Sequence, residues 1–498
     1  MFTFKRLTIL LLCLFLFFTG VYSFRQYQAF KPCLKSQNAQ TTLACLNQLP
    51  QIKKRLITLQ KIYPFPKVSQ AINLVNALEP FLPHQDILLG LNHPTKYLIL
   101  LQNDTELRAN GGFAGSYATL TLDSLKPTFT FQDIYVPDGQ LFGHVEPPLP
   151  IQQAFGQGWF KLRDADWEPS FPVASTTIRW FFQKGKEINP DILLTLSLSA
   201  IKDILKITGP LEVKDFNLIL NQENLYLTLQ NLVERNFFPG STQKKDTLTA
   251  TGHALVQKLS SLTFSQKLSI ANILIENLKN QNILLNAQNQ ALQNLFLSQN
   301  YAGKLHPSEC QETPPCLNDS LAIIETNLGA NKANQYIKRQ TTHTITKNLL
   351  HLVHHIQIEY KNDSSYENPK PPETYGGNYL NYLRVYLPQN AQNIKVTASP
   401  TLPSTRLERI TPLSQNSPEN FTKDDKYGFR VLGFFHPTKA STQSQVSISY
   451  ELLLENPTNY QLTILKQHGL KQSPQTIILP NQTLTTNLNT DFTHQESL

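Results

Sequence analysis

Asp104, Glu106 and Arg108 stand at alternate positions just ahead of three glycines, within Gln102-Asn-Asp-Thr-Glu-Leu-Arg-Ala-Asn-Gly-Gly-Phe-Ala-Gly-Ser116. Carboxylates can hold a divalent cation. A guanidinium offers a planar donor fork suited to carboxylate or phosphate. Gly111, Gly112 and Gly115 let backbone N–H groups approach a ligand closely, and Ser116 adds a hydroxyl. The stretch therefore has the makings of an anion site, with a metal held by its acids. The plain alternative is a tight turn carrying an Arg–Glu pair, and these residues alone leave both open.

More residues of the same types follow: Asp133, Asp138, Arg163, Asp164 and Asp166. Arg163-Asp164-Ala-Asp166-Trp167 either locks a loop by Arg–Asp pairing or supplies a site. All three tryptophans, Trp159, Trp167 and Trp180, fall in this region with Phe160. Such amphipathic rings stack on sugars or line a lipid channel. A second cluster, His343, His351, His354 and His355, suggests a metal. However, period two puts His351 and His355 on one strand face and His354 on the other, and no acid or cysteine lies beside them. A solvated strand face is the favoured reading. No G-x-S-x-G nucleophile motif is present.

The elements that must position these groups start from two apolar runs. Tyr97-Leu-Ile-Leu-Leu101 reads as a buried strand ending at the acidic stretch, and Tyr117–Leu122 as a second strand leaving it. Thr128–Tyr135 and Ile192–Leu198 complete a set of strands. Helices are expected over Ser199–Ile207, stopped by Gly209-Pro210, and over Asn221–Glu234, Thr247–Leu259, Ser265–Lys279 and Asn286–Leu297. Alternating strands and helices predict an α/β domain, a mixed sheet flanked by helices, over 96–305. A Pro/Cys-rich connector covers 306–320. From Leu321 the period becomes two, with strands over Thr341–Thr346, Leu349–Tyr360, Asn381–Leu387, Ile394–Ala398, Phe429–Phe435, Val446–Leu454 and Tyr460–Lys466. This predicts a C-terminal antiparallel β-sandwich over 321–471. The polar segment 472–498 reads as a flexible tail.

Upstream, residues 27–95 carry apolar positions at i, i+3 and i+4 broken at Ile62-Tyr-Pro-Phe-Pro66, a helical stalk. Residues 1–26 hold Lys5-Arg6 and then an uncharged apolar run, Leu7–Phe24. That run is just long enough to span a bilayer with a cytoplasmic N-terminus. Val21-Tyr22-Ser23 is a poor cleavage site, so a single-pass transmembrane anchor is favoured over a cleaved signal. The body is then extracytoplasmic, on the cytoplasmic membrane. Four of the five cysteines form close pairs, Cys33 with Cys45 and Cys310 with Cys316, which read as disulfides in an exported chain. The 498-residue chain has 40% hydrophobic and 16% charged residues and a net charge of +8. Positive charge suits anionic partners or simple solubility near a membrane. No Lys/Arg stripe interleaved with aromatics supports nucleic acid as a partner.

The Gly-rich stretch also resembles the N-[DN]-x-E-L-R-x-x-G-G-F-x-G-S signature of a bacterial cell-envelope family, domain of unknown function 4012. Further matches follow in order. They are Phe131-Gln-Asp-Ile134, Leu162–Trp167 with Pro169 and Phe171-Pro172, Asn189-Pro-Asp191, Ile207-Thr-Gly-Pro-Leu-Glu-Val213, Asn327–Asn334, Asn381–Tyr386 and Lys466-Gln-His-Gly469. The first half in turn resembles the LytR-CpsA-Psr phosphotransferases, which move glycopolymers from a polyprenyl-pyrophosphate carrier onto the cell wall.

That resemblance implies a LytR-CpsA-Psr-like α/β fold and a glycopolymer phosphotransferase. Mg²⁺ would be held by Asp104, Asp133 and Asp164. Arg108 and Arg163 would hold the pyrophosphate. Glu106, Gly111, Gly112, Ser116, Asp166 and Trp167 would contact substrate. The pattern also departs from the phosphotransferases. Gln132-Asp133 has no Arg beside the Asp, and the later Arg-rich motif is thinned to Arg235 and Lys244-Lys245-Asp246. The rival expectation is a non-catalytic envelope module that binds glycan or protein. As a substrate ligand, Arg108 should be replaceable by Ala without loss of the fold.

Overall fold

The computed structural model describes residues 43–44, 46–62, 64–234, 243–310, 316–367, 376–399, 422–454 and 459–497. The apolar run Leu7–Phe24, the Cys33–Cys45 pair and Arg235 lie outside the described residues. Among those described, no helix is long and apolar enough to cross a membrane. The chain divides into two compact units. One comprises the described part of Met1–Thr95 with Thr121–Thr128 and Leu262–Asn272. The other comprises Lys96–Leu120, Phe129–Ser261 and Ile273–Leu498.

In the smaller unit, helices Leu49–Ile62 and Pro66–Leu78 meet at the proline break. Pro66 opens the second helix, where its missing N–H costs nothing. Lys53 pairs with Glu79 at 2.6 Å. A short helix, Gln85–Leu89, stops at Gly90 in the left-handed conformation.

The α/β portion, most of which falls in the larger unit, begins with β1 (Thr95–Arg108), β2 (Gly111–Asp123), β3 (Lys126–Asp133) and β4 (Ile192–Ser197). A small ribbon of β5 (Leu211–Val213) and β6 (Leu218–Leu220) follows, then β7 (Leu285–Ala287). The main sheet has the order β3-β2-β1-β4-β7. β1 and β4 run parallel from Tyr97↔Ile192 to Gln102↔Ser197, while β7 is antiparallel to β4. Helix Phe171–Lys184 packs Ala174, Ile178, Phe181 and Phe182 onto Leu98, Leu100, Tyr117 and Leu193. Helix Leu198–Thr208 starts where the Ser197 hydroxyl accepts from the Ala200 N–H, 3.1 Å away, an N-cap. The expected strands and helices are present with three corrections: Asn286 and Ala287 belong to β7, so that helix is Gln290–Ser298; the helix expected from Asn221 starts at Leu225; and β3 ends at Asp133, with Tyr135 opening a short helix.

One correction is central. The first strand does not stop at Leu101 but continues to Arg108, turns through Ala109-Asn110 and resumes at Gly111. The candidate loop is a long β-hairpin. Its polar residues do not alternate with apolar ones, so nothing local marks them as strand; their partners come from far along the chain.

Those partners belong to the sandwich, built, among the described residues, from twelve strands. They are β8 (Cys316–Asn327), β9 (Ile337–Lys347), β10 (His351–Asn362), β11 (Tyr379–Pro388), β12 (Gln392–Ser399), β13 (Thr422–Lys426), β14 (Phe429–Thr438), β15 (Gln443–Leu453), β16 (Asn459–Leu465), β17 (Pro474–Ile478), β18 (Thr483–Asn487) and β19 (Phe492–Ser497). One sheet has the order β12-β15-β10-β9-β17-β18 and the other β13-β14-β11-β8-β16-β19. Their inner faces share a core that includes Ile356, Ile358, Leu383, Val385, Phe434, Ile448 and Leu462. β10 alternates buried and open positions as a half-buried strand should. β11 is buried at every position, because its outer face is covered too. Ile151, Phe155 and Trp167 lie on Leu380 and Tyr382, and Ala109 and Leu305 lie by Tyr386.

The sandwich is not purely antiparallel: β16 runs parallel to β8, and β17 parallel to β9. The flexible tail expected over 472–498 is also corrected. It supplies β17, β18 and β19, paired to β9 and β16. Few of its side chains face inward, chiefly Ile477, Leu479 and Leu488, so its composition reads as polar. Cys310 and Cys316 are bonded to each other. Non-reducing peptide mapping should recover this bridge, and replacing both cysteines by Ser should lower stability by about 2 kcal/mol, the chain-entropy value for so short a loop.

Candidate functional site

The hairpin β1–β2 carries Glu106 and Arg108 into the interior, 4% and 3% exposed. Arg108 Nη2 donates to Glu106 Oε1 at 3.0 Å, and Nη1 donates to the Asn327 carbonyl. Its guanidinium lies 5.2 Å from the Phe113 ring centroid. Lys332 Nζ reaches the other Glu106 oxygen at 2.7 Å. Burial alone would raise the Glu106 carboxyl, but Lys332 and Arg108 together hold it below its ordinary value. The Leu107 N–H donates to Asn334 Oδ1 at 3.0 Å. On the far side, Gln467 Nε2 donates to the Arg108 and Glu325 carbonyls at 3.2 and 2.8 Å, and His468 Nδ1 lies 3.3 Å from Asn110 Oδ1.

The glycines serve the same docking. A Cβ on Gly112 would stand 2.1 Å from the Asn103 carbonyl carbon, and one on Gly469 would stand 2.5 Å from Gly111 Cα. The permissive backbone makes room for protein backbone rather than for a ligand. Ser116 is buried within β2.

A second group forms around the segment 133–167. Arg163 Nη1 lies 3.3 Å from Asp138 Oδ2, its Nε lies 4.0 Å from Asp164 Oδ2, and its guanidinium lies 5.0 Å from the Tyr135 ring centroid. The Leu162 N–H donates to Asp138 Oδ1 at 2.6 Å, and Gln157 Nε2 to Asp164 Oδ2 at 3.2 Å. Asp133 accepts from the Tyr135 N–H at 3.0 Å. Arg163 is a quarter exposed, while Asp138 and Asp164 are buried. Asp166 lies deeper, and its carboxylate meets no other side-chain donor, only the backbone of Asp166 itself. Burial pushes it up to about 7; the neighbouring Asp164 charge adds to this and Arg108 opposes it. Burial likewise raises Asp164, against the pull of Arg108 and Arg163.

The structure therefore gathers Glu106, Arg108, Arg163, Asp164 and Asp166 into one neighbourhood. Asp104 points elsewhere, hydrogen-bonded to Ser199 and facing Lys471 and Lys202. The acids expected to share Mg²⁺, Asp104, Asp133 and Asp164, do not form one ligand set. Among the described residues, the one group of three close metal-ligating side chains is Asp319, His343 and His354. Trp167 is also placed differently from a ligand platform. Arg384 stacks 4.3 Å from its ring centroid and donates to its carbonyl at 2.8 Å, and Tyr382 packs on it at 5.5 Å. Trp159 and Trp180 keep exposures of 55% and 40%.

One family model and several solved structures are similar to parts of this chain. Residues 92–233 match the model described as "Protein of unknown function (DUF4012)". No curated protein matches the sequence. Among solved structures, TagV of B. subtilis is 18% identical, with 44% of this chain and 85% of that one covered at a TM-score of 0.27. TagT, described as bound to LI-WTA, is 12% identical over 42% and 74% at a TM-score of 0.23. A nutrient-binding protein candidate of Legionella pneumophila is 7% identical at a TM-score of 0.22. It covers 32% of this chain, which spans about half (55%) of that protein. TagV and TagT belong to the LytR-CpsA-Psr family. Likeness at these scores assigns no residue a role.

Two outcomes follow from the geometry. Arg108→Ala leaves Glu106 and the Asn327 carbonyl buried without their donor, so it should cost about 3–5 kcal/mol of stability in urea denaturation, contrary to the tolerance expected of a ligand contact. Asp166 has a folded-state pKa above its unfolded one, so its burial penalty is absent in strong acid and complete above pH 7. Asp166→Asn should therefore raise the Tm at pH 8 and leave it nearly unchanged at pH 4.

Proposed function

We propose that the chain is an exported, membrane-anchored protein of the bacterial cell envelope that binds an anionic glycopolymer or wall glycan without transferring it. Export is supported by the apolar run after Lys5-Arg6 and by the Cys310–Cys316 bridge, since disulfides persist in oxidising compartments. The observation that carries the non-catalytic reading is the engagement of Arg108. Both of its terminal nitrogens are held by protein groups and its side chain is buried. The cation left at a partly open face is Arg163, over Tyr135 and beside Asp138. An arginine with an aromatic ring suits a phosphate-bearing sugar.

A second reading, Mg²⁺-dependent transfer from a polyprenyl-pyrophosphate carrier, is favoured by Asp166. A buried carboxylate with no side-chain donor, next to Asp164, is the pair of acids a cation would satisfy. The two readings separate when the full chain is mixed with vesicles carrying a polyprenyl-pyrophosphate-linked glycan, with and without Mg²⁺. The binding reading expects association without consumption of the lipid, weakened about tenfold by Arg163→Ala, the usual loss for one charge-assisted contact. Mg²⁺-dependent consumption that stops in Asp164→Asn would install the transferase. No association under either condition would remove both.

A further inference from the structure

The histidines of the sandwich do not all lie on a solvated face. In β10, His351 and His355 are open, but His354 points inward with Leu352, Ile356 and Ile358. His343 of β9 is also fully buried. The register pairs His354 with Ile345 and Ile356 with His343, so the two imidazoles are diagonal neighbours on the inner face. His343 Nε2 and His354 Nδ1 are 3.1 Å apart. From the opposite sheet, Asp319 of β8 brings Oδ2 to 3.5 Å from the same His354 Nδ1. One donor atom from each of the three residues lies within 4.8 Å of the others.

We propose that Asp319, His343 and His354 form a buried divalent-metal site, filled by zinc, that ties the two sheets of the sandwich together.

Three observations carry this. First, geometry: zinc bound tetrahedrally at about 2.0–2.1 Å sets its ligand atoms about 3.3–3.4 Å apart, and the two measured edges, 3.1 and 3.5 Å, bracket that value. Second, charge: Asp319 is completely buried, and no lysine or arginine pairs with it among the described residues. Its partners are the hydroxyls of Tyr460, 2.6 Å from Oδ2, and Tyr450, 3.2 Å from Oδ1. An uncompensated buried carboxylate is costly. Third, support: Tyr460 and Tyr450 orient the carboxylate, and the Tyr450 ring stacks on His354 with centroids 4.4 Å apart. Such outer contacts hold ligands in place. The outer nitrogens, His343 Nδ1 and His354 Nε2, have no hydrogen-bond partner, so packing alone aims the rings. Two nitrogens and one carboxylate oxygen suit zinc better than magnesium or calcium. The fourth position is left to water.

The full chain, purified without chelator, should contain one zinc per chain by elemental mass spectrometry. Exhaustive chelation should lower its Tm, and added Zn²⁺ should restore it. Tyr460→Phe should weaken zinc about ten- to hundredfold. Asp319→Asn is the discriminating variant. With a metal in the wild type it abolishes the zinc-dependent shift, and the variant stands at or above the chelated Tm because a buried charge is removed as well. Without one it merely removes a buried charge, so the Tm rises and zinc has no effect in either protein. A wild-type protein that is zinc-free and whose Tm does not respond to Zn²⁺ would overturn the proposal.

Discussion

The Glu106–Arg108–Lys332 ion network is the constraint on which the larger unit depends. A hairpin of the α/β sheet projects a carboxylate and a guanidinium into the interior, and neither is tolerable there alone. Glu106 is neutralised from its own strand by Arg108 and from the β8–β9 connection by Lys332. Arg108 in turn satisfies the carbonyl at the end of β8. Each group is kept in place by one from another part of the chain. The α/β sheet and the sandwich thus behave as one packed body, which is why β11 is buried on both faces.

The segments that carry the family resemblance converge on this hairpin. Asn327–Asn334 supplies a carbonyl, the Lys332 ammonium and the Asn334 acceptor. Lys466–Gly469 supplies Gln467, His468 and the close approach of Gly469 to Gly111. Arg384, within Asn381–Tyr386, clasps the Trp167 carbonyl and ring. A string of polar motifs scattered over some 360 residues of sequence is a single interlock in space. That accounts for such motifs physically without asking each to touch a substrate.

This interlock also marks what could be read in the sequence. Apolar periodicity located β1's first half, β4, β9–β12 and β14–β16, because their burial alternates or runs unbroken along the chain. It did not locate the second half of β1, which pairs with β2 as a hairpin but whose polar side chains are satisfied by groups more than 200 residues away. It also passed over β17–β19, whose few inward side chains leave a polar average. The acids and arginines were legible as candidates, and Arg163, Asp164 and Asp166 do come together with Arg108. Their roles were not legible. Whether a guanidinium faces a ligand or a backbone carbonyl depends on Asn327, and Asp104 leaves the group because Ser199 and Lys202 face it. His343 and His354 were misread for the same reason: their acid, Asp319, lies on the other sheet.

Comparing the buried carboxylates of the larger unit sharpens the distinction between structure and function. Glu106 has Arg108 and Lys332. Glu325 has Arg339 at 2.7 and 3.2 Å and the Tyr379 hydroxyl at 2.5 Å. These two are internally balanced, so their charges are fully explained by folding. Asp166 and Asp319 are not balanced. The first meets no other side-chain donor, and the second has only neutral ones. Burial therefore raises both carboxyls, Asp166 to about 7 and Asp319 to about 6, which disfavours their charged forms. At Asp319, set beside the imidazoles of His343 and His354, that imbalance is the one the proposed zinc would meet.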